Sequence, residues 1–159
     1  MRIFSIVALI AIVVTDAVAQ TPSRHDAAEI ESAVIAVLDD YMTSFNAMDL
    51  TAWEQKMHFP QYRLAGGKMT VRNGPGGLSI EAMKRALGDE WHHSAWNRRE
   101  VIHLSESKVH VDTRFTHYRE DGSVISAHDS LYIVTKEAGR WGVKMRSSFF
   151  PGTVLDRER

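Results

Sequence analysis

The chemistry open to this 159-residue chain is set by eight histidines and the absence of any cysteine. Without cysteine there is no thiol nucleophile, no thiolate-bound zinc and no disulfide framework. No two histidines fall at the spacing of an HExxH pair, and His103 with His110 could meet only as cross-strand neighbours, so neither a metal nor a cofactor is expected. No G-x-S-x-G elbow presents a serine nucleophile. Proton transfer remains. A histidine titrates near neutrality, a carboxylate can act as base, and hydroxyls can steady a developing oxyanion. His128 and Glu100 are the alternative proton acceptors, and Tyr132, Ser130 and Tyr41 are the candidate donors.

These residues need a scaffold that brings them onto one face. The stretch from Arg98 to Phe149 reads as four strands joined at Glu106-Ser107, Asp121-Gly122 and Ala138-Gly139. With two-residue turns, side chains pair in rows across the sheet. Leu104, Val109, Val134 and Val143 form one row, and Ile102, Val111, Tyr132 and Met145 the next. Glu100, Thr113, Ser130 and Ser147 form a polar row, and Arg98, Phe115, His128 and Phe149 close the rim. An apolar floor under a short polar ladder outlines a pocket. The other face carries His103, His110, Ile133 and Lys144, then Val101, Asp112, Leu131 and Arg146, then Arg99, Arg114, Asp129 and Ser148. There Arg114 lies opposite Asp129, a cross-strand ion pair. A slip by one residue would exchange the faces, and the coherence of the apolar rows argues against it.

Upstream, Ile30, Val34, Val37, Tyr41, Phe45 and Met48 make a helical stripe that Asp26 can cap. Asp49 opens a short second helix through Trp53 and Met57, which Pro60 ends. A hairpin about Gly66-Gly67 sets Tyr62 opposite Val71 and Leu64 opposite Met69 on one face, with Arg63 and Thr70 on the other. Asn73 to Gly77 is a connector, since the lysine and hydroxyl of a phosphate loop are missing. Ser79 caps a third helix with Ile80, Met83 and Leu87 on its buried side.

The first residues read differently. Arg2, an apolar run from Ile3 to Val14, and Ala17-Val18-Ala19 form a secretory signal with its cut after Ala19, which places the mature protein in the periplasm or outside the cell. Residues 26–150 then form one domain, and 151–159 a C-terminal tail. Apolar residues make up 44% and charged residues 25%, as in an ordinary globular domain, and a net charge of −1 with no long basic run argues against nucleic acid as a partner. No membrane association is expected once the signal is removed.

This order of helices, hairpin, helix and long meander resembles the nuclear transport factor 2-like superfamily, shared by SnoaL-like proteins and ketosteroid isomerase. The similarity is carried by Phe45-Asn46-Ala47-Met48-Asp49 with Trp53, by the segment from His58 to Lys68, and by the tail from Ser130 to Val143 closing in Arg146-Ser147-Ser148-Phe149. The resemblance implies an α+β cone, a curved mixed and mostly antiparallel sheet wrapped around three helices, with an apolar cavity at its wide end. It also implies that His58, Tyr62, His92 and Trp96 enter that cavity, and that the protein dimerises through the outer sheet face. Members include isomerases, dehydratases, hydrolases and non-catalytic modules, so the fold leaves enzyme and binding protein both open. The ligand expected is a small apolar or amphipathic molecule touching Tyr41, Thr113, Phe115, Ser130, Met145 and Ser147. By analogy with the isomerases Asp129 would be a catalytic base, yet the strand register places it on the outer face.

Overall fold

The computed structural model describes residues 23–149, and the expected signal segment and C-terminal tail lie outside them. Helix α1 (Arg24–Asn46) is followed by α2 (Leu50–Gln55), the hairpin β1 (Met57–Ala65) and β2 (Lys68–Arg72), and helix α3 (Ile80–Leu87). Strands β3 (His93–Leu104), β4 (Lys108–Tyr118), β5 (Val124–Glu137) and β6 (Arg140–Ser148) complete the chain. All three helices start where a short polar side chain can accept from an open backbone amide. Ser23 caps α1 in a reciprocal box with Asp26, which is thus the third helical residue and not the cap. Asp49 and Ser79 cap α2 and α3 as expected.

The six strands form one sheet in the order β2-β1-β6-β5-β4-β3. Among the described residues only β1 against β6 is parallel and the other pairings are antiparallel, the mixed sheet expected of an α+β cone. Helix α1 lies in the concave face. Val34, Leu38 and Tyr41 on the helix pack with Val109, Val111, Tyr132, Val134 and Val143 on the sheet, all almost fully buried. Leu38 takes the inner position expected of Val37, which is only partly buried.

The β4–β5 ladder follows the expected register residue for residue from Val109↔Val134 to Phe115↔His128. The Gly66-Gly67 hairpin also pairs as expected. Two other ladders do not, because each contains bulges. In β3 the register shifts between Val101 and His103, leaving Ile102 unpaired and exposed, and again between Trp96 and Arg98. In β6 it shifts at Lys144, so that Ile133 meets Met145 and Tyr132 meets Arg146. A bulge adds one residue to one strand and exchanges the faces of everything beyond it.

Candidate functional site

Those bulges decide which side chains reach the cavity. Glu100 pairs with Asp112 and is exposed, so the one carboxylate expected to point inward does not. Arg98 likewise turns out, beside Arg114. Beyond Lys144, Met145 and Ser147 pair with Ile133 and Leu131 on the outer face, while Arg146 and Ser148 turn inward. Tyr62 aligns with Met145 and so also faces away from the cavity. Asp129 stays outside, accepting from Arg114 Nη1 at 2.7 Å and Arg98 Nη2 at 3.1 Å.

The cavity itself measures about 440 Å³, within the range of small-molecule sites. Tyr41, Met42 and Phe45 from the end of α1 and Trp53 from α2 form one wall, and Met83 and Leu87 from α3 roof it. The inner face of the sheet supplies Phe115, His117, Ser126, His128, Tyr132, Arg146 and Ser148, with Arg63 from β1. Among the described residues no aspartate or glutamate lines it.

Four expected residues, His128, Tyr132, Tyr41 and Phe115, meet here. Other expected residues are structural. Trp96 packs on Tyr132 and donates its indole N–H to the Leu38 carbonyl at 3.2 Å. Thr113 is fully buried and donates to the Ser130 carbonyl at 2.9 Å, while Ser130 Oγ donates to Ser148 Oγ. His58 is buried in another place, with Nδ1 2.9 Å from Thr135 Oγ1 and its ring against Gly142. A β-carbon at Gly142 would come within 3.0 Å of that ring, so glycine there makes room for it. His92 is exposed and meets His93 at 3.0 Å, outside the cavity.

His117 and Ser126 are new to the site. They pair directly across β4 and β5, one inward row beyond Phe115 and His128. His117 Nδ1 lies 2.6 Å from Ser94 Oγ, which also accepts from the Trp91 indole. His128 Nε2 lies 3.0 Å from Ser126 Oγ, and its ring stacks on Phe115 at 4.9 Å. Burial pushes His117 down to about 4, assisted by His128 and the Arg146 charge. Burial also lowers His128, with Arg146 and Arg63 adding to the effect. Both imidazoles are therefore neutral at pH 7.

Arg146 completes this corner. It donates from Nη1 to the Tyr132 hydroxyl at 3.2 Å, and its guanidinium carbon sits 5.7 Å from the Phe115 ring centre. Burial by itself would lower Arg146, but the Tyr132 and Tyr41 hydroxyls hold it above its ordinary value, so the charge persists. Burial raises Tyr41, which stays a neutral donor. Arg63 is the partner of Arg146 on the adjacent parallel strand, and the Arg146 charge lowers it first, its own burial second.

Comparison with known proteins agrees with this geometry at the level of fold. An NTF-2 like protein of unknown function from Shewanella oneidensis superposes with a TM-score of 0.60 at 21% identity, over 75% of this chain and 98% of that one. A cystatin-like-fold protein of unknown function from Nostoc punctiforme gives 0.62 at 10% identity, over 85% and 98%. A ketosteroid isomerase-like protein from Erwinia carotovora gives 0.54 at 20% identity, over 75% and 94%. No curated protein sequence matches the chain. The profile of the family described as NTF2-like protein (DUF6841) matches residues 28–146, and with them most of α1, the hairpin and the meander up to Arg146. The chain belongs to this NTF2-like family.

Proposed function

We propose that this protein binds a small molecule in the cone and carries out acid–base chemistry on it, of the isomerase or dehydratase type. One observation carries the reading: neutral His128 shares an apolar-walled cavity of about 440 Å³ with the Tyr41 and Tyr132 hydroxyls. A neutral imidazole can take a proton from a carbon beside a carbonyl, and positioned general bases contribute roughly 10²–10⁴-fold. As charge develops on the carbonyl oxygen, the tyrosine hydroxyls donate to it. Arg146 donates to the Tyr132 oxygen, which leaves the Tyr132 proton free for the ligand and makes it a stronger donor. The wall of Phe45, Trp53, Met83 and Leu87 excludes water from the apolar part of the ligand.

Deuterium uptake by phenylacetone in D₂O, followed by proton NMR, tests the assignment. Wild type and Glu100→Gln should accelerate exchange equally, because Glu100 lies outside the cavity, and His128→Gln should lose the acceleration. Equal rates for wild type and His128→Gln would remove His128 as the base. Wild-type exchange no faster than in buffer would leave a binding protein without this chemistry.

A further inference from the structure

The electrostatics of the cavity point to a narrower class of ligand. Arg63 and Arg146 are aligned on neighbouring parallel strands, and both face the cavity. Two like charges in one site repel unless something of opposite sign lies between or beside them. For five other basic residues of the sheet that need is met within the chain. Arg98 pairs with Asp112 and Asp129, Arg114 with Asp129, Arg99 with Asp39, Arg72 with Glu54, and Lys144 with Glu137. Neither Arg63 nor Arg146 forms an ion pair among the described residues, and no carboxylate lines the cavity they face.

Much of the donor capacity also lacks an acceptor among the described residues. A guanidinium offers five N–H groups. Arg146 directs one at the Tyr132 hydroxyl. Trp53, on the facing wall, buries its indole N–H without an acceptor among the described residues. The corner is rich in donors and has no anionic acceptor among the described residues, while the opposite wall is apolar.

We propose that Arg63 and Arg146 together form a carboxylate-recognition site, so that the ligand is a small amphipathic acid. Its acid group sits across the two guanidiniums and its apolar body lies against Phe45, Trp53 and Met83. A planar carboxylate matches the fork of a guanidinium, and in a site partly shielded from water such a pair is stronger than at the surface. This inference rests on the small-molecule reading above and deepens it by naming the ligand class.

Calorimetric titration of the intact protein with 1-naphthylacetate and with its neutral isostere 1-naphthylacetamide separates the two claims. The acid should bind at least tenfold more tightly than the amide, about 1.4 kcal/mol. Arg146→Gln should abolish that preference by weakening the acid far more than the amide. Arg63→Gln, at the more exposed arginine, should reduce the preference and supplies the test if the first variant fails to fold. Equal binding of acid and amide by wild type would overturn the carboxylate site and leave the pocket intact. So would a preference that survives both substitutions. Failure of wild type to bind either compound at millimolar concentration would overturn the small-molecule reading itself and this inference with it.

Discussion

The two faces of the sheet carry arginines under opposite conditions. On the outer face Arg98 and Arg114 sit side by side, and the chain answers them with Asp112 and Asp129. On the inner face Arg63 and Arg146 also sit side by side, and among the described residues the chain offers them only hydroxyls and aromatic rings. Outer charges that compensate one another stabilise the sheet modestly and ask for nothing further. Inner charges left without a counterion represent stability given up at a place where a ligand can restore it. That contrast distinguishes a structural ion network from a binding site more sharply than any single histidine does.

The largest effect that probes the difference comes from neighbours on β5. Tyr132 points into the core and is 1% exposed, whereas Leu131 next to it is on the outer face and only partly buried. Tyr132→Ala should lower unfolding stability in urea by about 3–5 kcal/mol, and Leu131→Ala by under about 1 kcal/mol. Similar losses for both would mean that the faces are not as different as the register makes them.

Much of this was legible in the amino acids. The α+β order, the caps Asp49 and Ser79, the Gly66-Gly67 hairpin and the β4–β5 ladder follow from patterning and turn chemistry, and they placed His128 inward and Asp129 outward. Carrying that same ladder one row past Phe115 and His128 pairs His117 with Ser126, so this part of the site was readable too. The bulges were not. Nothing in the alternation of β3 or β6 marks Ile102 or Lys144 as an extra residue, since both strands read as continuous. Each bulge exchanges one residue for its neighbour, which removed Glu100, Met145 and Ser147 from the cavity and delivered Arg146 and Ser148 to it. Arg63 escaped notice for a different reason. The hairpin register was right, but the apolar face with Tyr62, Leu64, Met69 and Val71 turns outward, with Met69 and Val71 about half exposed, and the polar face turns in.

The inner face should also be the more sensitive to acid. His117 is neutral in the folded protein down to about pH 4, while an unfolded histidine takes up its proton near 6.5. Between those values the unfolded state binds more protons, so stability falls as pH is lowered from about 6.5 to about 4. Allowing for partial exposure of the ring, the loss attributable to His117 is about 1–2 kcal/mol. In His117→Gln, urea unfolding measured across that range should show a correspondingly flatter pH dependence. An unchanged slope would mean that His117 takes up its proton alike in the folded and the unfolded protein, so that burial does not hold it neutral.

The smallest effect bears most directly on the central contrast: urea unfolding of the ligand-free protein at pH 7, comparing Asp129→Asn with Arg63→Gln. Asp129 is 20% exposed in its side chain and answers two arginines, so its loss should lower stability by about 1 kcal/mol. Arg63 has no counterion among the described residues and faces a like charge, so Arg63→Gln should leave stability unchanged or raise it by a few tenths to about 1 kcal/mol. A loss on Arg63→Gln as large as that on Asp129→Asn would show that the inner arginine is already satisfied within the chain, and the site would have no vacancy for an acid.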